Sequence, residues 1–299
     1  LWTGQTSVFV SADDKFSIID KSNRKTIATY EAKTRVIVSI KAGKIYLDSN
    51  KCESNNIEVV LKNYSEDKSI EVNRKNYRGN IEISNNKGLA VINILPLEEY
   101  LYSIVAGEMS PSWPQEALKA QAVAARTYAL NEINKHVNEG FNVCPTTHCQ
   151  VYGGKNVEDI RAITAVDDTK GLVLYSNGKL ITAVFHSASG GYTENSEEVW
   201  GSYLPYLRAV PDYDQNSPNY KWEKKLTALE IQQKIIAAGY NIGKLQAIEI
   251  SPLKSYGKNS NDRSAVGRIK NISFIGDANT VMLSGAKART ILGLNSTLF

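Results

Sequence analysis

The hydrophobic pattern of the chain changes its period near Pro96, and this change constrains the fold more than any other feature. Before it, apolar and polar residues alternate in short runs such as "NIEIS" and "LAVINIL", which is typical of strands. After it, "LPLEEYLYSIVAGEM" places Leu97, Leu101 and Ile104 four and three residues apart, on one helical face. Proline suits a helix start. The chain is therefore predicted to combine strands with helices.

The strands begin at the N-terminus. Five runs rich in β-branched and aromatic residues are separated by turns of Asp, Asn, Gly and Lys: "TSVFV", "FSIID", "TRVIVSI", "KIYLD" and "IEVVL". The polar stretch "NYSEDKS" at 63–69 is the best candidate for a linker or a long turn. We expect a small β-rich N-terminal module over residues 1–70 and a second domain over residues 71–299.

Helices and strands are interspersed beyond residue 96. A second helix is predicted over "PQEALKAQAVAARTYALNEINKH", with Ser112 and Gln115 as a capping box. "GLVLY" and "LITAVFHS" are predicted strands. A third helix, "ALEIQQKIIAA", has Thr227 and Glu230 as its capping box and Gly239 as its stop, and "LSGAKARTILG" predicts a fourth. Because strands and helices do not alternate regularly, the fold class is α+β.

Charge and composition exclude several functions. The formal charge of +4 lies in the N-terminal third, where residues 1–89 hold 15 Lys/Arg against 11 Asp/Glu and the remainder holds 20 of each. This balance fits a surface that meets an anionic polymer or a membrane, and equally a solvated face. The sequence contains no run of 18 apolar residues, so it predicts no membrane-spanning helix. No phosphate-binding or dinucleotide motif occurs, and nothing predicts nucleic-acid recognition.

Glu108 stands where the apolar stripe of the first predicted helix calls for an apolar residue, near the C-terminal end of that helix. Partial burial and the negative end of the helix dipole both favour a protonated carboxyl, which a general acid needs. The alternative is a helix-terminal glutamate that turns to solvent or pairs with a cation. Lys119 and Arg126, seven residues apart on the next helix, could orient a carboxylate or a substrate oxygen, or could form ordinary surface or interhelix pairs.

Two of the three histidines and two of the three cysteines fall within "HVNEGFNVCPTTHC". These residues, His136, Cys144, His148 and Cys149, are ligand types that suit Zn²⁺. Four protein ligands would close the coordination sphere, which is typical of a structural zinc site. A Cys144–Cys149 disulfide is the alternative if the protein is exported, although an odd number of cysteines argues against a disulfide framework.

The long motif "LPLEEYLYSIVAGEMSPSWPQEALKAQAVAARTYAL" resembles the signature of the stage II sporulation protein D (SpoIID/LytB) family. The resemblance continues through "CQVYGG", "FHSASGGYTENSEEVWG", "LPYLRAVPDYD" and "LGLNSTLF", so that it covers roughly residues 72–299. It implies a lytic transglycosylase that cleaves peptide-free peptidoglycan strands during engulfment of the forespore. Glu108 falls on the catalytic glutamate of the family, and Lys119 and Arg126 fall on basic positions that bind or orient substrate.

The same resemblance places "FHSASGGYTE" along a glycan-binding cleft, with His186, Ser187 and Tyr192 as substrate contacts. A turn packed on the core is the alternative for this segment. A Ser/His hydrolase is not favoured, because the G-x-S-x-G elbow is absent. The resemblance also implies a zinc beside the cleft, a cell-wall amidase and other engulfment proteins as partners, and an extracytoplasmic location with a membrane anchor that is absent from this chain.

Two other functions remain open from the sequence. Proteins that resemble amidase enhancers could bind glycan and assist a partner without cutting. A zinc hydrolase would need an open coordination position. A lytic transglycosylase can work with one carboxyl, whereas hydrolytic glycosidases usually need two. Five further glutamates are available as a second carboxyl: Glu98, Glu99, Glu116, Glu194 and Glu198.

Overall fold

The computed structural model describes residues 1–85, 87–253 and 260–299, which form two compact units, residues 1–184 and 185–299. Helices and antiparallel sheets are both present, so the predicted α+β class is confirmed. The helices are α1 (Leu97–Glu108), α2 (Gln115–Asn131), α3 (Ile160–Asp168), α4 (Ser196–Trp200), α5 (Ala228–Ala237) and α6 (Gly285–Leu292). None of these described helices combines the length and the hydrophobicity needed to cross a membrane.

The first 94 residues form a sandwich of two sheets. Its strands are β1 (Trp2–Gln5), β2 (Ser7–Ala12), β3 (Phe16–Asp20), β4 (Thr26–Tyr30), β5 (Val36–Lys41), β6 (Lys44–Leu47), β7 (Asn50–Lys51), β8 (Asn56–Leu61), β9 (Ile70–Val72), β10 (Lys75–Tyr77), β11 (Asn80–Asn85) and β12 (Leu89–Ile94). One sheet has the order β1-β12-β11-β8-β3-β4 and the other β10-β9-β2-β5-β6-β7. Alternation is clear in β5, where Val36 and Val38 are fully buried and Ile37 between them is 51% exposed.

The sandwich continues past the predicted end of the N-terminal module. Ile70 and Val72 lie in one strand, β9, and belong to the same hydrophobic core as the strands before it. Ile81 and Ile83 of β11 belong to that core as well. The predicted boundary between residues 70 and 71 therefore lies within a strand of the sandwich. The segment 63–69 is a long connection between β8 and β9. Arg78 and Lys155 both donate to the Glu66 carbonyl oxygen within it and hold it in place.

Helices α1, α2 and α3 pack on one another around a second core. Leu101, Ile104 and Leu118 are fully buried there, and the alanines of α2 allow the close approach that its sequence predicts. The predicted capping box at Ser112 and Gln115 is wrong. Pro114 occupies the N-cap position without a side-chain cap, and the Ser112 hydroxyl lies 2.9 Å from that of Ser110. The helix ends at Asn131, earlier than predicted.

A buried ion pair joins the sandwich to the helical layer. Arg78, between β10 and β11, donates from Nε and Nη2 to the carboxylate of Glu158, at 2.7 to 3.0 Å. The two side chains are only 8% and 7% exposed. The Arg78 guanidinium also lies over the Tyr102 ring of α1, 5.3 Å from its centroid. Glu158 directly precedes α3, so this one guanidinium fixes two helices against the sheets.

The second unit holds the other antiparallel sheet, of order β15 (Leu245–Glu249), β16 (Asn271–Gly276) and β17 (Thr280–Ser284), with α5 and α6 on its core. The predicted capping box of α5 is confirmed, because Thr227 and Glu230 each accept from the other's backbone N–H. Gly239 follows this helix at a φ of +91°. Gly276 allows close packing, since a Cβ there would lie 1.7 Å from the Ile242 carbonyl oxygen.

The predicted strands "GLVLY" and "LITAVFHS" are wrong for most of their length. Only the hairpin β13 (Tyr175–Ser176) and β14 (Lys179–Leu180) forms there, with two residue pairs. Short apolar runs do not reveal whether a neighbouring strand exists to complete a ladder. Among the described residues, this segment finds no further strand partner.

Replacing Arg78 by Met should lower the free energy of unfolding of the first unit by about 3–5 kcal/mol, because Glu158 then stays buried without its cation. Chemical denaturation followed by fluorescence measures this. The matched control is Lys51→Met, whose partner Glu53 is 85% exposed, and which should change the free energy by less than about 1 kcal/mol. Equal small effects of both substitutions would contradict the role given to Arg78.

Candidate active site and metal cluster

Glu108 is the last residue of α1, as its sequence position predicts, and its side chain is half-buried. The helix ends here because Met109 adopts an extended conformation and Pro111 follows two residues later. The Val151 N–H donates to Oε1 of Glu108 at 2.7 Å. The carboxyl is therefore held by one backbone donor at the end of a buried helix.

The donor belongs to an irregular segment, residues 149–153, that runs beside α1. Gly153 N donates to the Ser103 hydroxyl at 3.1 Å, and the Tyr152 ring stacks on Tyr100 at 5.2 Å. A Cβ at Gly107 would lie 3.2 Å from the Val151 carbonyl oxygen, which is a tight contact. The glycine therefore eases the close approach of the segment to the end of α1.

Arg126 is buried, with 1% of its surface exposed, and donates to both oxygens of Glu98. Its remaining donors bind the carbonyl oxygens of Leu172 and Val166. Arg126 therefore lies between the helices, and the interhelix pairing that its spacing also allowed is what the structure has.

Lys119 lies on the same helix and is partly exposed. Its Nζ contacts Glu116 at 3.1 Å and Asp168, the last residue of α3, at 3.2 Å. Hydrogen bonds to these two carboxylates raise the pKa of Lys119 above its ordinary value. A substrate contact of this ammonium would compete with both carboxylates.

The four predicted metal ligands converge after α2. His136, Cys144, His148 and Cys149 place one ligand atom each within 4.8 Å of all the others. Cys149 Sγ lies 3.4 Å from His136 Nε2 and 3.7 Å from His148 Nδ1, and Cys144 Sγ lies 3.5 Å from His148 Nδ1. A tetrahedral zinc with its usual bond lengths separates its ligand atoms by about 3.3–3.8 Å. The three quoted separations fall within that range and the others do not exceed 4.8 Å, so small side-chain movements would complete such a site.

The cysteines of the cluster are free, so the predicted disulfide alternative is not formed. Burial raises the pKa of the Cys144 thiol, but hydrogen bonds from Thr146 and His148 outweigh it and lower the pKa to about 6. The thiolate is the form that binds metal. Burial raises the pKa of the Cys149 thiol, so Cys144 is the cysteine of the cluster that ionises more readily.

Glu139 contacts the candidate metal cluster and was not singled out from the sequence. Its Oε1 lies 2.5 Å from Nδ1 of His136, the ring nitrogen opposite the one that faces the cluster. Carboxylates commonly bind metal-ligating histidines in this way and fix the ring orientation. The spacing His-x-x-Glu at 136 and 139 is the signal that could have identified it.

His186, Ser187 and Tyr192 lie in the second unit. His186 and Ser187 are exposed, and Tyr192 follows the Gly190–Gly191 turn, in which both glycines have positive φ. The Asp214 carboxylate closes this turn by accepting from the N–H groups of residues 189, 190 and 191 at 2.7 to 2.9 Å. Asp214 therefore shapes the loop that the sequence assigned to substrate binding.

Comparison with known proteins places the helical layer in a family. The family model of the stage II sporulation protein SpoIID matches residues 85–175. Stage II sporulation protein D of Bacillus subtilis is 41% identical over 172 residues, 52% of this chain and 50% of the relative. That of Bacillus amyloliquefaciens is 37% identical over 172 residues, 51% of this chain and 50% of the relative.

Residues 85–175 carry the SpoIID domain, and the two relatives support membership of the stage II sporulation protein D family. The matched range contains Glu108, both predicted basic residues of α2 and the whole metal cluster, whereas the Gly190–Gly191 turn lies beyond it. The amidase enhancer of Bacillus subtilis is also similar, with 34% identity over 234 residues, 77% of this chain and 31% of the relative. The alignments cover half or less of each of these relatives.

The other glutamates considered as a second carboxyl have partners of their own. Glu98 binds Arg126, Glu99 accepts from the Tyr64 hydroxyl and Glu116 pairs with Lys119. In the second unit, Glu194 accepts from Ser264 and Glu198 pairs with Lys270. Each of these carboxylates has a structural contact that accounts for its position.

The Gly190–Gly191 turn should lose stability in acid. Burial raises the pKa of Asp214, but the three backbone hydrogen bonds outweigh it and hold the pKa below its ordinary value of 3.8. The stabilisation is therefore present above pH 3.8 and is lost as the pH falls through the lowered pKa.

Asp214→Asn should lower the Tm of the second unit by about 2–4 °C at neutral pH, since partial exposure screens the lost interactions. The difference from the unsubstituted protein should shrink below about pH 4. Thermal denaturation at a series of pH values measures it. Asp212→Asn is the matched control, because Asp212 binds only the next backbone N–H, of Tyr213, in the described structure. A Tm difference that grows in acid would contradict the assignment.

Proposed function

We propose that this chain is a lytic transglycosylase that cleaves peptide-free peptidoglycan strands between N-acetylmuramic acid and N-acetylglucosamine. The observation that carries the proposal is Glu108, a half-buried carboxyl at a helix end, held by the Val151 N–H within the range that matches the family. A single carboxyl in this setting suits a reaction in which one group serves as acid and then as base.

The mechanism has two proton transfers, one from Glu108 and one to it. Protonated Glu108 gives its proton to the glycosidic oxygen as the bond from that oxygen to the muramic acid C1 breaks. The resulting carboxylate takes the proton of the muramic acid 6-hydroxyl while its oxygen bonds to C1. A 1,6-anhydro ring forms, the other glycan fragment leaves with a free hydroxyl, and Glu108 regains its proton. No water is consumed, so no second carboxylate is required to activate one.

The contacts around Glu108 divide the work between its two oxygens. Oε1 accepts from Val151 N, and we assign the transferred proton to Oε2. This fixed orientation serves catalysis because proton transfer needs a carboxyl held within hydrogen-bond reach of the reacting oxygen. Arg126 acts by orienting: it holds Glu98, which lies near the start of the helix that ends with Glu108. Lys119, His186, Ser187 and Tyr192 remain predicted glycan contacts.

We assign zinc to the cluster of His136, Cys144, His148 and Cys149. When bound, the ion supplies a rigid cross-link between the end of α2 and the segment that reaches Glu108. Four protein ligands leave no open position, which argues against the zinc hydrolase considered from the sequence. The catalytic proton transfers are the work of Glu108.

Family membership supports a cell-wall function in sporulation. The names of the two stage II sporulation protein D relatives refer to sporulation. We propose that the chain acts outside the cytoplasm during engulfment of the forespore, anchored to the membrane in its full-length form. A cell-wall amidase and other engulfment proteins are the proposed partners.

A second function is favoured by one comparison. The similarity to the amidase enhancer covers 77% of this chain, more than the similarity to the sporulation proteins does. In this alternative the chain binds glycan and assists an amidase without cutting. Glu108 would then be a structural group at the end of a helix.

Product analysis separates the two functions. Mass spectrometry of peptide-free glycan strands incubated with the protein should show 1,6-anhydro-N-acetylmuramic acid ends. Glu108→Gln should abolish them, a loss of at least about 10²-fold, because the amide cannot carry the proton. Glu116→Gln is the matched control, since that carboxylate is 83% exposed, and it should retain activity. Reducing ends without anhydro products would indicate hydrolysis, and bound glycan without products would favour the enhancer function.

The metal assignment predicts one zinc per chain in the purified protein. Cys149→Ser should weaken zinc binding by more than the roughly 10–100-fold that loss of an outer contact costs. Cys52→Ser is the matched control, because Cys52 is a buried cysteine of the sandwich core. Metal analysis with a competing chelator measures both. Equal zinc affinity in the two variants would contradict the assignment.

A further inference from the structure

The geometry points to Gln150 as a positioning residue that holds Val151 N against Glu108 and so links the metal cluster to the catalytic carboxyl. This inference rests on the proposed function for its effect on catalysis. Its structural part, the hold on the segment 149–153, stands on the contacts of Gln150 alone.

Gln150 is fully buried, and its amide spans the two helices of the site. The side-chain Oε1 accepts from the Tyr100 hydroxyl of α1 at 3.2 Å, and Nε2 donates to the Ala125 carbonyl of α2 at 3.3 Å. A buried amide is retained at low cost only when its polar atoms are satisfied. The two bonds therefore fix the backbone of residue 150 relative to both helices.

The two residues that flank Gln150 belong to the two features that it connects, the metal cluster and the donor to Glu108. Cys149 on one side is 7% exposed and belongs to the metal cluster, and Val151 on the other side donates to Glu108. Residue 150 thus stands between a proposed metal ligand and the donor to the catalytic carboxyl, one peptide bond from each. A shift of this residue moves Val151 N relative to Oε1.

Gln150→Met keeps nearly the same side-chain volume and removes both hydrogen bonds. The Ala125 carbonyl keeps its place in the helix, but the Tyr100 hydroxyl loses its acceptor in a residue that is only 9% exposed. The segment keeps its contacts at residues 152 and 153 but loses the amide clamp at residue 150, so Val151 N can move by a fraction of an ångström to an ångström. Displacements of that size in a catalytic group lower rates by up to about 10²-fold.

Hydrogen exchange tests the structural part without any substrate. In the zinc-loaded protein, the Val151 amide should exchange at least about 10-fold faster in Gln150→Met, as expected when about 1.4 kcal/mol of local protection is lost. Amides within α1 and α2 should keep their rates, and zinc content should stay at one per chain. An unchanged Val151 exchange rate would overturn the proposal.

Kinetics with peptide-free glycan tests the catalytic part. Gln150→Met should lower kcat by about 10–100-fold and leave KM within about threefold, because it displaces the reacting carboxyl and touches no substrate. Tyr100→Phe removes one of the two bonds while keeping the ring that stacks on Tyr152, so it should show a smaller loss of kcat. This milder variant decides the question if Gln150→Met does not fold.

Gln232→Met is the matched control for the loss of a glutamine hydrogen bond. Gln232 accepts from the Leu245 N–H in the second unit, so the substitution should lower stability without changing kcat. A faster Val151 exchange with unchanged kcat in Gln150→Met would overturn the catalytic link. If the unsubstituted protein forms no anhydro products, the proposed function fails, and the exchange experiment still decides whether Gln150 holds the segment.

Discussion

The segment 149–153 lies against helix α1, and the geometry of the candidate active site depends on this contact. Val151 N donates to Glu108 beside Gly107, whose missing side chain eases the approach, and Gly153 N donates to the Ser103 hydroxyl earlier in the helix. The segment begins at Cys149, so the candidate metal cluster and the proposed catalytic carboxyl of Glu108 are joined by one short stretch of chain. A metal ion bound there would act on the reaction through backbone position, with its charge enclosed by its own ligands.

Buried ion pairs hold the surrounding framework. Arg126 joins Glu98 of α1 to carbonyl groups at the end of α3 and beyond it, and Arg78 joins the sandwich to Glu158 before α3. Such pairs need further hydrogen bonds to offset their desolvation. The guanidinium groups of Arg78 and Arg126 each donate from Nε, Nη1 and Nη2 to carboxylate or carbonyl oxygens. They specify how three helices meet, and the position of Glu108 follows from that arrangement.

The sequence predicts the parts of the site that depend on local spacing. Apolar residues four and three apart place Glu108 at the end of α1, and the concentration of His136, Cys144, His148 and Cys149 in fourteen residues predicts the metal cluster. Spacing leaves open whether Arg126 faces substrate or a neighbouring helix, and the expected substrate role comes from the family resemblance; the structure buries this guanidinium against Glu98. Gln150 lies in the "CQVYGG" motif but carries no charge, and its role is hidden in the sequence because its partners lie 50 and 25 residues away in the chain.

The proposed reaction requires Glu108 to meet the glycosidic oxygen. A crystal structure of Glu108→Gln with a bound peptide-free glycan fragment would show whether it does. We expect a side-chain atom of residue 108 within about 3 Å of the oxygen between N-acetylmuramic acid and N-acetylglucosamine, with Val151 N still donating to the other side-chain atom. A glycan bound with that oxygen beyond hydrogen-bond reach of residue 108, in an otherwise ordered complex, would contradict it.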